Sequence, residues 1–412
     1  MTRSWLGLFA LLLVACSGDD DGSGGGGGSA GAAGAAGSGG GGASGSGGSG
    51  GTAGTAGSGA AGGDAGTDAA VNTVTYVYVG SSKGGADNID RFTLDPTSGK
   101  LTALGRTTSG GTADFMALHP SQDLLYVADT QNDEARAFSL DRATGALSAM
   151  GSVGLSGAPV YLTVDKTGKH LLVAHYNQGK ADVVALGANG ALGALTDTQS
   201  PGSKSHCIVL DPSGSYVFVP NNGSNTISQY VYDDGAGKLT ANAPGSVATS
   251  DGPRHMDFHP SKPFAYVMNE QGTSMTAYAF DAAKGTLTEI ETEESLPASV
   301  TAPSTGADVH VHPNGKFVYG SNRSQDQSTL VIFSIDPSTG ALTLVGHEGT
   351  RGSHPRNFEI DPSGRVLLVT NRDSSNVVSF LIDETTGKLS FVEEVPVVDA
   401  PFFVGAYRFP SP

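Results

Sequence analysis

Gly252-Pro-Arg-His-Met-Asp-Phe-His-Pro-Ser-Lys-Pro-Phe-Ala-Tyr-Val-Met-Asn-Glu270 is the stretch that decides the fold. Arg254 to Phe258 reads as an innermost strand. His259-Pro-Ser-Lys262 is a tight turn with Pro at its second position. Phe264 to Met268 reads as the second strand, and it stops at the polar Asn269. Met275 to Phe280 and Thr286 to Glu291 supply a third and an edge strand, joined by a turn from Asp281 to Gly285. The unit recurs about every 48 residues, and the polar residue closing its second strand falls at Ser81, Asp129, His175, Asn221, Asn269, Asn322 and Asn371. Repeats of this length built only of short strands are propeller blades. The expected fold is all-β, a seven-bladed β-propeller of four-stranded blades.

The first unit lacks its innermost strand. It opens at Thr75-Tyr-Val-Tyr-Val79, which matches a second strand. The missing piece is Pro401-Phe-Phe-Val-Gly-Ala-Tyr407, which aligns with Pro159-Val-Tyr-Leu-Thr-Val-Asp165 and Pro355-Arg-Asn-Phe-Glu-Ile-Asp361. The C-terminal strand is therefore expected to close the ring and remove the exposed sheet edges. In each blade the start of the first strand and the end of the second lie on one face of the disc, here the upper face. The turn joining them lies on the other.

The propeller is expected over residues 71–412. Arg3 precedes an apolar run from Trp5 to Val14, too short to span a membrane stably and read as a signal peptide over residues 1–15. Leu13-Val14-Ala15-Cys16 resembles the lipobox of bacterial lipoproteins, which makes Cys16 the expected lipidation site. Residues 16–70 then form a linker of Gly, Ala, Ser and Thr with too little apolar surface to fold. The expected product is an exported, monomeric cell-envelope lipoprotein that touches the membrane only through its lipid. Forty acidic residues against 23 basic ones, a formal net charge of −17, argue against nucleic acid and anionic membrane surfaces as partners.

The middle blades place unusual residues on the upper face. His206 starts blade four and Asn221 ends its second strand. Arg254 and His255 start blade five, and Asn269 with Glu270 ends its second strand. Arg323 follows Asn322 in blade six, His354 and Arg356 start blade seven, and His175 ends the second strand of blade three. A base, a carboxylate and cations for a developing oxyanion are what acyl-group hydrolysis needs. The bland reading is that the Asn residues cap turns and tie blades. His119, His259 and His312 take the first turn position on the other face, where Asp211 and Asp361 substitute for them, and read as structural; His170 and His347 read as surface residues. No metal-binding spacing, phosphate loop or dinucleotide fingerprint is present, so neither metal nor cofactor is expected.

At these residues the chain resembles the bacterial seven-bladed lactonase family, which includes cycloisomerase-type 6-phosphogluconolactonases and the fungal carboxy-muconate cyclase. The likeness is most specific at Gly252–Ser261 and Tyr266–Glu270, and extends to Ser205–Gly214, Ser321–Arg323, His354–Gly364 and Leu172–Gly179. It implies a lactonase acting on the internal ester of a sugar acid, with His206, Arg254, Glu270 and Arg323 as catalytic residues. His255, Asn221, His175 and Arg356 are then candidate substrate contacts. Base and cation roles are interchangeable between His206 and His255 at this stage. Two departures matter: Lys204 stands where the family often has His, and Asn221 and Asn225 replace two carboxylates. These amides leave a second reading open, a non-catalytic surface propeller that binds a glycan or protein.

Overall fold

The computed structural model describes residues 73–85 and 88–411. The signal peptide, Cys16 and the linker lie outside the described residues. Twenty-eight strands form seven four-stranded antiparallel sheets, and the described residues contain no helix. Blade five has strands Pro253–Phe258, Phe264–Asn269, Ser274–Asp281 and Thr286–Glu294, within three residues of the bounds read from sequence. In blade one the C-terminal strand Pro401–Pro410 lies innermost and pairs antiparallel with Thr73–Ser81. The ring closes as expected.

Each blade is apolar on both faces of its two middle strands, so neighbouring blades bury one apolar cluster between them. There are seven such clusters for seven seams. The closing seam packs Val366, Leu368 and Val377 of blade seven against Val77, Val79 and Val404 of blade one. Each side chain of this size contributes about 1.5–3 kcal/mol when fully buried.

The repeated turns are explained by the same seams. In the turn between third and fourth strands, Gly285 and Gly340 have φ of +65° and +77°, where a side chain is strained. A Cβ on Gly285 would also lie 2.1 Å from the Tyr216 ring of the preceding blade, and one on Gly340 would lie 2.5 Å from Phe264. On the lower face, His259 accepts the backbone N–H groups of Ser261 and Lys262 at Nδ1. Its Nε2–H therefore donates to the Gly315 carbonyl of the next blade at 2.9 Å. His119 and His312 make the same stitch to Gly168 and Gly364. Asp361 caps its own turn instead, accepting from the N–H groups of Ser363, Arg365 and Val366.

The recurrent residue after each second strand is likewise a tie. Asn269 donates to Ser274 and Thr276, and Asn322 and Asn371 donate to the Ser295 and Thr350 carbonyls on the segments entering their blades. His170 corrects the expectation of a surface residue. It is buried, bonded to Asp165 at 3.1 Å and set edge-on to Tyr232, because the lower end of the seam between blades three and four covers it. His347 is half-buried against the Ser295 carbonyl.

Candidate active site

The innermost strands carry the site, and a backbone irregularity sets its shape. In blade five the pairing register slips between Pro253 and His255, so Arg254 is an extra residue, a β-bulge. Blades three, six and seven slip near the same place. A bulge turns two successive side chains toward the axis where a regular strand would turn one. His255 accordingly touches residues from blades two, three, four and six: its ring lies 6.3 Å from Phe115, 5.2 Å from Tyr161 and 5.2 Å from His206, and its Nδ1 is 2.6 Å from Asp308 Oδ1.

These contacts belong to a layer that crosses the channel. Phe403 packs on Phe115 at 4.7 Å, and Phe115 on Tyr161 at 4.1 Å. Tyr161 shares a hydrogen bond with Cys207. On the polar side, Asn357 donates to Asp308 Oδ2 at 2.5 Å and accepts the Val404 N–H at 2.8 Å. Every inner strand contributes to this plug. Burial drives the Cys207 thiol up to about 12, which makes it an unreactive wall.

Above the plug sits a cluster of charges. Glu270 receives Arg323 Nη2 at 2.7 Å on one oxygen; its other oxygen has Arg254 Nε at 3.6 Å and Asn222 Nδ2 at 3.0 Å. Arg254 also donates to the Ala307 carbonyl at 2.8 Å, and Arg323 to that of Gly306 at 2.9 Å. The three charged side chains are only 1%, 3% and 6% exposed for Arg254, Arg323 and Glu270. Arg356 stacks on Phe402 at 4.1 Å, and its field reaches Asp114, His206 and His255. His206 lies edge-on to Tyr176, whose ring carries Lys204 Nζ at 5.4 Å.

Burial and the nearby guanidiniums disfavour a charged imidazole. His206 is pushed well below the usual histidine value by burial and then Arg254, and His255 is pushed down to about 4 by the same two causes. Both rings are neutral at pH 7 and keep a lone pair. Below the plug His310, 3.3 Å from Asp308 Oδ2, is raised to about 10, burial being outweighed by the Asp308 charge. Burial raises Glu359 to about 7.

The structure thus brings together His206, Arg254, His255, Glu270 and Arg323, with Arg356 at the rim. It does not bring in two residues expected to touch substrate. His175 is fully buried against Asp182 at 3.0 Å, and Asn221 binds Ser205, Thr226 and Ser228 within blade four. Both act as ties because the residue ending a second strand points into its blade, whereas the one after it, as in Glu270 and Arg323, points along the rim. Asp308, Asn357, Tyr161 and Asp114 were missed. Their signal was available: polar or aromatic side chains at the inner-strand position equivalent to His255 or Arg254. A cleft of about 340 Å³ on the same face, lined by Ser81, Lys83, Arg106 and Asp399 among others, shares no residue with this cluster.

The family profile "Lactonase, 7-bladed beta-propeller" matches residues 76–406. The chain belongs to that family. A relative from Pectobacterium carotovorum subsp. carotovorum, named 6-phosphogluconolactonase, is 33% identical over 309 residues, covering 74% of this chain and 91% of its own. One of the same name from Bacillus subtilis is 29% identical over 342 residues, with coverage of 79% and 97%. Among solved structures, a Lactobacillus plantarum protein superposes with TM-score 0.73 at 28% identity over 82% of this chain and 100% of its own. A Pseudomonas aeruginosa periplasmic gluconolactonase superposes with TM-score 0.75 at 24% identity, over 81% and 99%, and attests the fold. The chain is a lactonase, and the buried imidazoles and guanidiniums above the plug are the candidate machinery of that hydrolysis.

Proposed function

We propose that this lactonase opens the internal ester of an unphosphorylated sugar acid outside the cytoplasm, without a metal ion. The observation that carries the reading is the pairing of two neutral imidazoles with Arg254 and Arg323, themselves held by a single carboxylate. His206 takes a proton from water as the oxygen adds to the lactone carbonyl. Arg254 and Arg323 stabilise the oxyanion. The ring C–O bond then breaks, and the departing oxygen recovers the proton from His206, leaving an open hydroxy acid. Two guanidiniums against one carboxylate leave a local charge of about +1, suited to a singly charged oxyanion rather than to a phosphate dianion, and the third, Arg356, adds to a field that repels cations.

The address supports the same substrate class. The apolar run Trp5–Val14 and Cys16 have the pattern of an exported, lipid-anchored chain, and phosphorylated sugar lactones are cytoplasmic metabolites. The test is a panel of aldonolactones with and without phosphate, plus an acyl homoserine lactone, each corrected for spontaneous opening. Turnover fastest on unphosphorylated sugar lactones is expected. Turnover of none of them, or a preference for the phosphate ester, overturns the substrate assignment. Loss of fatty-acid labelling in Cys16→Ser tests the anchor.

A further inference from the structure

Asp114 is the exception in charge at the upper mouth. Its backbone N–H donates to the Ala128 carbonyl at 3.0 Å, while Phe115 lies opposite the same Ala128. His206 makes the equivalent bond to the Pro220 carbonyl at 3.0 Å. Ala128 and Pro220 each precede the residue that closes a second strand, Asp129 and Asn221. Arg254 and Arg356 are the residues passed over where the register slips in blades five and seven. Phe402 is passed over in the same way in blade one, between Pro401 and Phe403. These five therefore occupy one level, just above the plug. Among the described residues, Asp114 is the only carboxylate at that level.

One oxygen of this carboxylate is committed. Oδ2 accepts the Thr112 hydroxyl, and the Thr130 N–H at 3.1 Å. Oδ1 accepts no hydrogen bond from the described residues. It is not one of the sealed atoms of the interior either, so it meets solvent although the residue is only 7% exposed. Arg356 acts electrostatically on Asp114 and on both His206 and His255, which puts its guanidinium close to the carboxylate and to the imidazoles. The Phe402 ring, 4.1 Å from the guanidinium carbon, backs that group. Burial pushes the Asp114 carboxyl up to about 6, so at pH 7 it is still mainly an anion.

The chemistry of the pair narrows what it can hold. A carboxylate offers acceptors only, so the ligand group must donate. An ammonium is opposed by Arg254, Arg323 and Arg356 in the same mouth. A phosphate or a second carboxylate is opposed by Asp114 itself. A neutral hydroxyl suits both sides, donating to Asp114 and accepting from Arg356. We infer that Asp114, together with Arg356, binds the hydroxyls of the sugar lactone while the lactone carbonyl is held at Arg254 and Arg323. Asp114 thereby selects polyhydroxylated, uncharged rings. The inference rests on the reading of His206, Arg254 and Arg323 as the ester-opening site. Asp114 sets specificity and takes no part in proton transfer.

The test is Asp114→Asn in the full chain. The amide keeps the volume and an oxygen for the Thr130 N–H, but it replaces the open acceptor with a donor. KM for an unphosphorylated aldonolactone should rise about 10–100-fold, the usual worth of a hydrogen bond to a charged group. The loss on δ-valerolactone, which has the ester ring and no hydroxyl, should be at least tenfold smaller. A 6-phosphorylated aldonolactone should gain relative to the unphosphorylated one. Calorimetric titration gives a readout that needs no turnover: binding of an aldonate should weaken at least tenfold more than binding of pentanoate. If no lactone is opened but the titrations behave so, the subsite stands and the reaction assignment falls. Equal losses on the two lactones, or equal weakening of the two acids, overturn the subsite, as does an aldonate that fails to bind the wild type. If Asp114→Asn does not fold, Arg356→Gln at the rim is judged by the same two comparisons.

Discussion

Glu270→Gln removes a charge and almost no volume, and it tests whether one carboxylate balances the buried arginines. Arg323 Nη2 lies 2.7 Å from one carboxylate oxygen and Arg254 Nε lies 3.6 Å from the other. With an effective dielectric constant of about 20, these separations correspond to gross attractions of about 6 and about 5 kcal/mol. Desolvation of three buried charges offsets much of that. The net cost of deleting one partner from such a group is about 3–5 kcal/mol, because the remaining charges stay buried without compensation. At roughly 2 °C per kcal/mol for a large domain, Tm should fall by about 6–10 °C. Calorimetric melts of wild type and variant at pH 7 measure this. The control is Asp399→Asn, whose partner Lys83 and own side chain are 66% and 72% exposed, and it should not shift Tm measurably. Adding Arg323→Met to Glu270→Gln should recover part of the loss by removing an uncompensated cation. With the carboxylate gone the guanidiniums repel each other and leave the oxyanion position, so kcat/KM should drop at least tenfold. A Tm within 2 °C of wild type, or a second substitution that only adds to the damage, would refute the balance argument.

Other expectations follow from the same geometry. His206→Ala should reduce kcat at least about 100-fold, the usual contribution of a positioned base, with a modest stability loss of about 1–2 kcal/mol from the missing ring; retained turnover removes it from the site. Deleting 400–412 strips the inner strand from blade one and exposes the apolar seam with blade seven, so the variant should show no cooperative melt, and a normal melt would contradict closure. Arg254→Gln should weaken competitive inhibition by aldonic acids more than Arg365→Gln, on the lower face. Activity should also survive exhaustive chelation, whereas loss restored by zinc or calcium would point to metal chemistry.

The blade count, the strand bounds and the ring closure were legible in the sequence because they rest on local signals that recur from blade to blade. The Thr-Gly turn, the His-Pro or Asp-Pro turn and the polar stop after Met268 or Thr370 need no knowledge of neighbours. Arg254, Glu270 and Arg323 stood out because their types break that repetition. Asp308 did not, because a bulge between Gly306 and Val309 and a preceding loop blur where the strand begins. His175 and Asn221 misled for a different reason: the pleat turns the residue that closes a second strand into its blade, and the one after it along the rim, so position at the rim by count does not make a side chain face the channel.

Ring closure has a consequence for synthesis. Strand Thr73–Ser81 is made early, but its inner partner Pro401–Pro410 is made last, some 320 residues later. At about 5–20 residues per second the first strand waits roughly 16–64 s for that partner. Throughout that interval the nascent chain holds an unsatisfied β-edge, which six finished blades cannot cover. The last ten strand residues therefore act as a completeness check: a chain that terminates early keeps a sticky seam open to chaperones and proteases, while a full-length chain pairs the inner edge of blade one and seals the seam.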